Sequence, residues 1–341
     1  NSVLTTMGFG FEAVWDFIYK PPTLTAVNLT DVSNTWYGVG TGDVFMRSSW
    51  GDTTAAHGSF KCGWLTESHQ HYEQGAFQIY RGEWLAGSGN RFSNSGLQNS
   101  ISTKNLLRFV SGSTVIEQTN SNGDPSNCNM LALSDSDYYA YAAADITPVY
   151  HSNSSISKQQ REFIFLKPST FVVFDRAVAT SGSVKRVWSL NIENGNGLTI
   201  SGDRLTYVGS KSNRMDVYRV APSSLSYVKT AYEWSSDRDT GQFPNATRVD
   251  VTDTSTGTSS YFLHVIGTGT SATSNPVSSV ASSPATGQTG VQVNLADGRV
   301  AIIRFNNTSS GGTIQINDAS GNTVVSGSLA TTVTKPPIFR N

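Results

Sequence analysis

Residues 161–176 read Arg161-Glu162-Phe163-Ile164-Phe165-Leu166, then Lys167-Pro168-Ser169, then Thr170-Phe171-Val172-Val173-Phe174-Asp175-Arg176. Two runs rich in aromatic and β-branched residues, parted by a three-residue break with Pro at its centre, read as a β-hairpin. The theme repeats on both sides. Upstream, residues 44–50, 58–64, 77–81 and 104–110 read as strands. Downstream, so do 184–190, 205–208, 214–220, 247–251 and 261–266. Two further hairpins turn about Ala296-Asp297-Gly298 and Ser320-Gly321-Asn322. Well over a dozen strands with polar turns and no interleaved helices predict an all-β chain: a large antiparallel β-sandwich, or two stacked ones.

The exceptions to strand lie at the edges of this pattern. Residues 2–19 are the best helix candidate, with Phe9, Ala13, Trp15, Phe17 and Ile18 on an apolar face and Glu12 and Asp16 opposite. Pro21-Pro22 ends it. Residues 23–42 read as an irregular connector, 117–130 as a long polar loop, and 268–289, rich in Ser, Thr, Gly, Ala and Pro, as an exposed loop. The chain opens at Asn1 without an initiating Met, and the expectation is a processed or truncated piece.

Composition narrows the function classes. Only 14% of the 341 residues are charged and the net charge is −1. Solubility comes from hydroxyls and amides, as in secreted, periplasmic or surface proteins. There is no basic field for nucleic acid, and no apolar run long enough to span a bilayer. An acidic ligand would have to be met by a local cluster of Arg and Lys. Cys62 and Cys128 are the only cysteines. They can form one disulfide, though spacing alone does not show that they meet.

The chemistry-bearing stretch is Ser68-His69-Gln70-His71-Tyr72-Glu73-Gln74-Gly75-Ala76-Phe77-Gln78-Ile79-Tyr80-Arg81-Gly82. It carries two of the five histidines. If the segment is extended, His69 and His71 point to one side. Two imidazoles beside Tyr72, Tyr80 and Arg81 form a compact set for proton transfer and anion binding. The ordinary alternative is a hydrogen-bonded structural histidine. Trp64 and Trp84 fit core packing better than sugar stacking, and His57 (in a loop), His151 and His264 read as structural.

These residues carry a resemblance. Asp43-Val44-Phe45-Met46-Arg47-Ser48-Ser49-Trp50, His69-Gln70-His71, Gly75-Ala76-Phe77-Gln78-Ile79-Tyr80, Lys104-Asn105-Leu106-Leu107 and Phe171-Val172-Val173-Phe174-Asp175-Arg176 resemble, in order, the heparinase II/III-like polysaccharide lyases. The likeness covers roughly residues 40–335. It implies an α/α toroid followed by an antiparallel β-sandwich, with an acidic polysaccharide bound between them. Residues 1–39 would then be the residual helix and connector of a helical toroid that is mostly absent from this chain, and 40–341 the sandwich.

The implied reaction is β-elimination at a uronic acid. A base takes the proton beside the sugar carboxylate and an acid protonates the leaving glycosidic oxygen. His69 matches the family's sandwich histidine as base or proton relay. Arg47, His71, Tyr72, Tyr80, Arg91 and Lys104 are the expected substrate-binding residues. Some members bind a structural Zn²⁺ through the second histidine, an Asp and a further His. Here Gly87 and Lys104 stand at the other two places, so no cofactor is expected, and an ammonium at 104 could take the space of the ion. The competing reading is a non-catalytic carbohydrate-binding or structural module. A glycoside hydrolase would need Glu73 and Glu83 as its carboxylate pair.

Overall fold

The computed structural model describes residues 28–64, 71–88, 100–119, 127–231 and 246–338. The helix expected over 2–19, the base expected at His69 and the Arg91 contact lie outside these residues.

The 161–176 hairpin is present and central. Strand Ile156–Leu166 pairs antiparallel with Thr170–Ala179, with Phe163 opposite Val173 and Leu166 opposite Thr170. The pair sits inside an eight-stranded sheet, between Tyr139–Asp145 and Ser259–Gly269. Alternation sends Phe163, Phe165, Phe171 and Val173 to one face, and Ile164, Leu166, Val172 and Phe174 to the other. Residues 163–166 and 171–174 are buried on both faces and apolar throughout, so these runs lack a period-2 pattern, while the equally buried Arg161, Glu162, Asp175 and Arg176 are held as ion pairs.

Each face has its own core. On one, Phe163 and Phe171 join Phe60, Phe77 and Trp188, which come from two five-stranded sheets. On the other, Phe174 stacks on Phe305 at 4.7 Å between ring centroids, within a cluster that includes Val291 and Ile303 of the last five-stranded sheet. The fold is therefore two antiparallel sandwiches sharing the central sheet. Cys62 and Cys128 pair in a disulfide.

The sheet that positions the candidate site is β1 (Thr35–Gly38), β2 (Asp43–Arg47), β3 (His57–Lys61), β4 (Phe77–Arg81) and β5 (Glu83–Ala86), in that order. Its inward residues, among them Val44, Met46, Phe60, Phe77 and Ile79, are at most 1% exposed. Its outward residues include Trp36, Phe45, His57, Gln78 and Tyr80.

Several local expectations are corrected. Residues 35–38 form β1 rather than a connector, because Trp36 and Tyr37 pair with Phe45 and Val44. His57 opens a strand rather than lying in a loop. The reading of 268–289 as loop misses Val277–Ser282, an edge strand whose Ser and Ala side chains mostly face solvent. Lys104 closes a 3-10 turn, Ile101–Thr103, instead of beginning a strand, and the strand starts at Leu107.

Candidate functional site

The site is assembled on what Arg161 and Asn105 hold. Arg161 is fully buried, and its Nε and Nη2 grip both oxygens of Asp175 at 2.7 and 3.0 Å. Its Nη1 donates to the carbonyls of Gly75 and Asn105 at 2.7 and 2.8 Å. One carbonyl belongs to the segment that carries His71, the other to the segment that carries Lys104. Asn105 Nδ2 donates to Phe77 O and Gly87 O at 3.0 and 2.9 Å, while its Oδ1 accepts from Asn191 N. One buried guanidinium and one buried amide thus fasten three separate loops to the core. A charged donor makes the stronger bonds of this set.

The His71 loop has further anchors. Gln74 and Gln118 bond reciprocally, at 3.0 Å from Gln74 N and 2.7 Å to Gln74 O. Gly63 N donates to Gln74 Oε1 at 2.9 Å. Gly75 has φ +85°, and a Cβ there would come 2.3 Å from the Ile146 side chain. Only glycine fits that turn.

This scaffold brings His71, Lys104 and Ser88 together. Lys104, 2% exposed, places Nζ 2.9 Å from His71 Nδ1 and donates to Ser88 Oγ at 2.7 Å. Ser88 Oγ in turn faces Thr103 O at 3.4 Å. An ammonium can only donate, so Nδ1 accepts and the ring proton of neutral His71 sits on Nε2. Burial first, then the Lys104 charge, pulls the His71 pKa from 6.5 down to about 4. At neutral pH the dyad is a fixed cation beside a neutral imidazole whose Nε2–H is a donor. Nearby, burial pushes the Glu73 carboxyl up, against the opposing pull of Lys104 and Lys61.

These residues do not suit a divalent cation. The ammonium occupies the hydrogen-bonding direction of His71 Nδ1, Gly87 offers no side chain, and among the described residues no three of His, Cys, Asp or Glu converge as a metal site. Glu83 is committed elsewhere. It accepts from Lys211 N and Asn213 N, each at 3.0 Å, and from Ser210 Oγ at 3.1 Å, holding that turn.

The other expected residues are dispersed. Tyr72 is half-buried against Ala76, Ile101 and Leu106. Arg47 and Tyr80 line a groove of about 490 Å³ on the outward face of β1–β5, and His71, Tyr72 and Lys104 are not among its lining residues. Trp84 lines that groove too, and Trp64 is 56% exposed, so neither is a core residue. Sequence reasoning missed Arg161, Asn105 and Ser88. They bond to partners far along the chain, and only the adjacency of Asn105 to Lys104 offered a signal.

No protein-family model and no curated protein matches the sequence. Solved structures do. Heparan sulfate lyase HepC from Pedobacter heparinus superimposes with a TM-score of 0.63 at 12% identity, over 90% of this chain and 47% of that one. A heparinase III gene product gives 0.64 at 12% identity, over 93% and 46%. Another heparinase III structure gives 0.60 at 13% identity, over 82% and 43%. This chain spans about half the length of the lyases it resembles, and its fold is heparin-lyase-like.

Proposed function

We propose that the chain is the sandwich part of a secreted, periplasmic or cell-surface polysaccharide lyase that cleaves a uronic-acid-containing polysaccharide by β-elimination. In this reading the sandwich takes in β1 (Thr35–Gly38) as well as residues 40–341, and a helical toroid, with the residues before β1 as its tail, completes the cleft. The observation that carries it is the Lys104–His71 contact at 2.9 Å. Elimination places a second negative charge on the sugar carboxylate as the proton beside it leaves. A fixed ammonium and a neutral imidazole N–H are the groups that stabilise such charge without giving up a proton prematurely.

His69 takes or relays the proton. The electron pair it leaves forms the new double bond, and the glycosidic oxygen departs with a proton from an acid. His71 and Lys104 bind the carboxylate, and Tyr72 and Arg91 add further substrate contacts. The structural neighbours include a heparan sulfate lyase and a heparinase III, which supports an acidic polysaccharide as substrate. The Cys62–Cys128 disulfide supports an oxidising compartment. Among the described residues no helix is long and apolar enough to cross a membrane.

The test is ultraviolet absorbance of unsaturated uronate products from the full-length protein on alginate, glucuronan, hyaluronan, chondroitin and heparan. His69→Ala abolishes the signal, and Lys104→Met lowers kcat by roughly 10²–10³-fold, the usual loss for one charge-stabilising donor. Full activity in His69→Ala removes His69 from the reaction. Absence of product on every polymer, with binding retained, leaves the non-catalytic carbohydrate-binding module.

A further inference from the structure

The groove on the outward face of β1–β5 stands apart from the His71–Lys104 dyad. Two cross-strand rows form its floor. In one, Trp36, Phe45, Ser59 and Gln78 succeed one another across four strands; in the other, Arg47, His57, Tyr80 and Trp84 do so. Trp36 stacks on Phe45 at 5.8 Å between centroids, and both stay about half exposed, at 45% and 50%. Tyr80 meets His57 and Trp84 edge-on at 5.9 and 5.3 Å. A contiguous aromatic floor left open to water marks an interaction site.

The polar groups among the rings decide what it fits. Among the described residues, the ring nitrogens of His57, the Tyr80 hydroxyl, the Gln78 amide and the Nη1 and Nη2 of Arg47 make no hydrogen bond. An apolar helix or sheet seated here would bury each of them unpaired, at a cost. A ligand with hydroxyls and apolar ring faces pairs the polar groups and covers the aromatic ones. Arg47 adds charge. Its Nε is tied to Ser49 O at 2.6 Å and its guanidinium lies 4.0 Å over the Trp50 ring, so its two terminal nitrogens form a pre-set fork for a carboxylate or sulfate.

We propose that this groove is a second saccharide-binding site, in which Trp36 and Phe45 stack on sugar rings and Arg47 takes an acidic substituent. It does not need the elimination chemistry, and a catalytically inert chain would bind as well.

The test is calorimetric titration of the full-length protein with hexasaccharides of heparin, alginate and hyaluronan as acidic probes and cellohexaose as the neutral one. At least one acidic probe binds, and more tightly than cellohexaose. The double variant Trp36→Ala/Phe45→Ala weakens that binding about tenfold. Arg47→Gln weakens it comparably and flattens its salt dependence. All three side chains are partly exposed, and circular dichroism verifies that the variants fold. Binding unchanged in both variants, no binding to any acidic probe, or tighter binding of cellohexaose overturns the proposal. Lyase activity with wild-type binding in both variants removes this site and leaves the lyase reading intact. Variant-sensitive binding without lyase activity does the reverse.

Discussion

His264→Phe should stabilise the protein, and more so as the solution becomes acidic. His264 lies in the strand Ser259–Gly269, 1% exposed, with its ring stacked 3.9 Å from that of Trp188. Among the described residues neither ring nitrogen has a hydrogen-bond partner. Burial first, then the charges of Arg161 and Arg219, depresses its pKa from 6.5 to about 3. The folded pKa lies below the unfolded one, so between them the unfolded chain binds the extra proton. The stability contribution is complete above about pH 6.5 and drains away as pH falls toward 3, at up to about 1.4 kcal/mol per pH unit.

Phenylalanine keeps a flat ring against Trp188 and cannot take a proton. At pH 7.5 it also avoids the desolvation of two unpaired nitrogens, a gain of about 1–3 kcal/mol. At pH 4.5 the gap between variant and wild type should widen by roughly 2.7 kcal/mol, the product of two pH units and that slope. The assay is equilibrium unfolding in guanidinium chloride at pH 7.5, 6.5, 5.5 and 4.5, followed by tryptophan fluorescence. Other titrating groups act on both proteins alike and cancel in the difference. A gap that stays constant across this range would refute the account of a neutral, buried His264.

Three further outcomes follow from the packing. Lys104→Met should raise the His71 pKa from about 4 by about one pH unit and not to 6.5, because burial is the larger cause; the His71 Cε1–H resonance followed through an NMR pH titration reads it, and an unmoved midpoint removes the ammonium from Nδ1. Arg161→Met strands Asp175 without its partner in the core and should cost about 3–5 kcal/mol in chemical denaturation. Arg161→Met/Asp175→Leu should recover much of that loss, yet leave the Gly75 and Asn105 carbonyls unheld and the His71 environment changed. Replacing both Cys62 and Cys128 by Ser opens a crosslink between residues 66 apart and should lower unfolding free energy by up to about 4 kcal/mol, with no loss at all refuting a formed bond.

What could be read from the chain follows from where each constraint acts. The 161–176 hairpin declares itself because its turn is local and both its faces are core. Strand Tyr139–Asp145 pairs with the same hairpin, Tyr141 opposite Ile164. Its centre is Ala-Tyr-Ala-Ala-Ala, in which only Tyr141 favours a strand and the alanines do not, so neighbours more than sequence make it a strand. The site divides in the same way. His71 and Lys104 were legible as residue types, but their meeting depends on Arg161 reaching backbone carbonyls 86 and 56 residues away, and a carbonyl has no letter in a sequence. The groove left a fainter trace. In Val44-Phe45-Met46 the outer two side chains are buried, so the period of a strand turns Phe45 outward. An aromatic residue at a solvent-facing position is the residue to question first, and Trp36 beside it across the ladder makes the pair a surface with a purpose rather than an accident of composition.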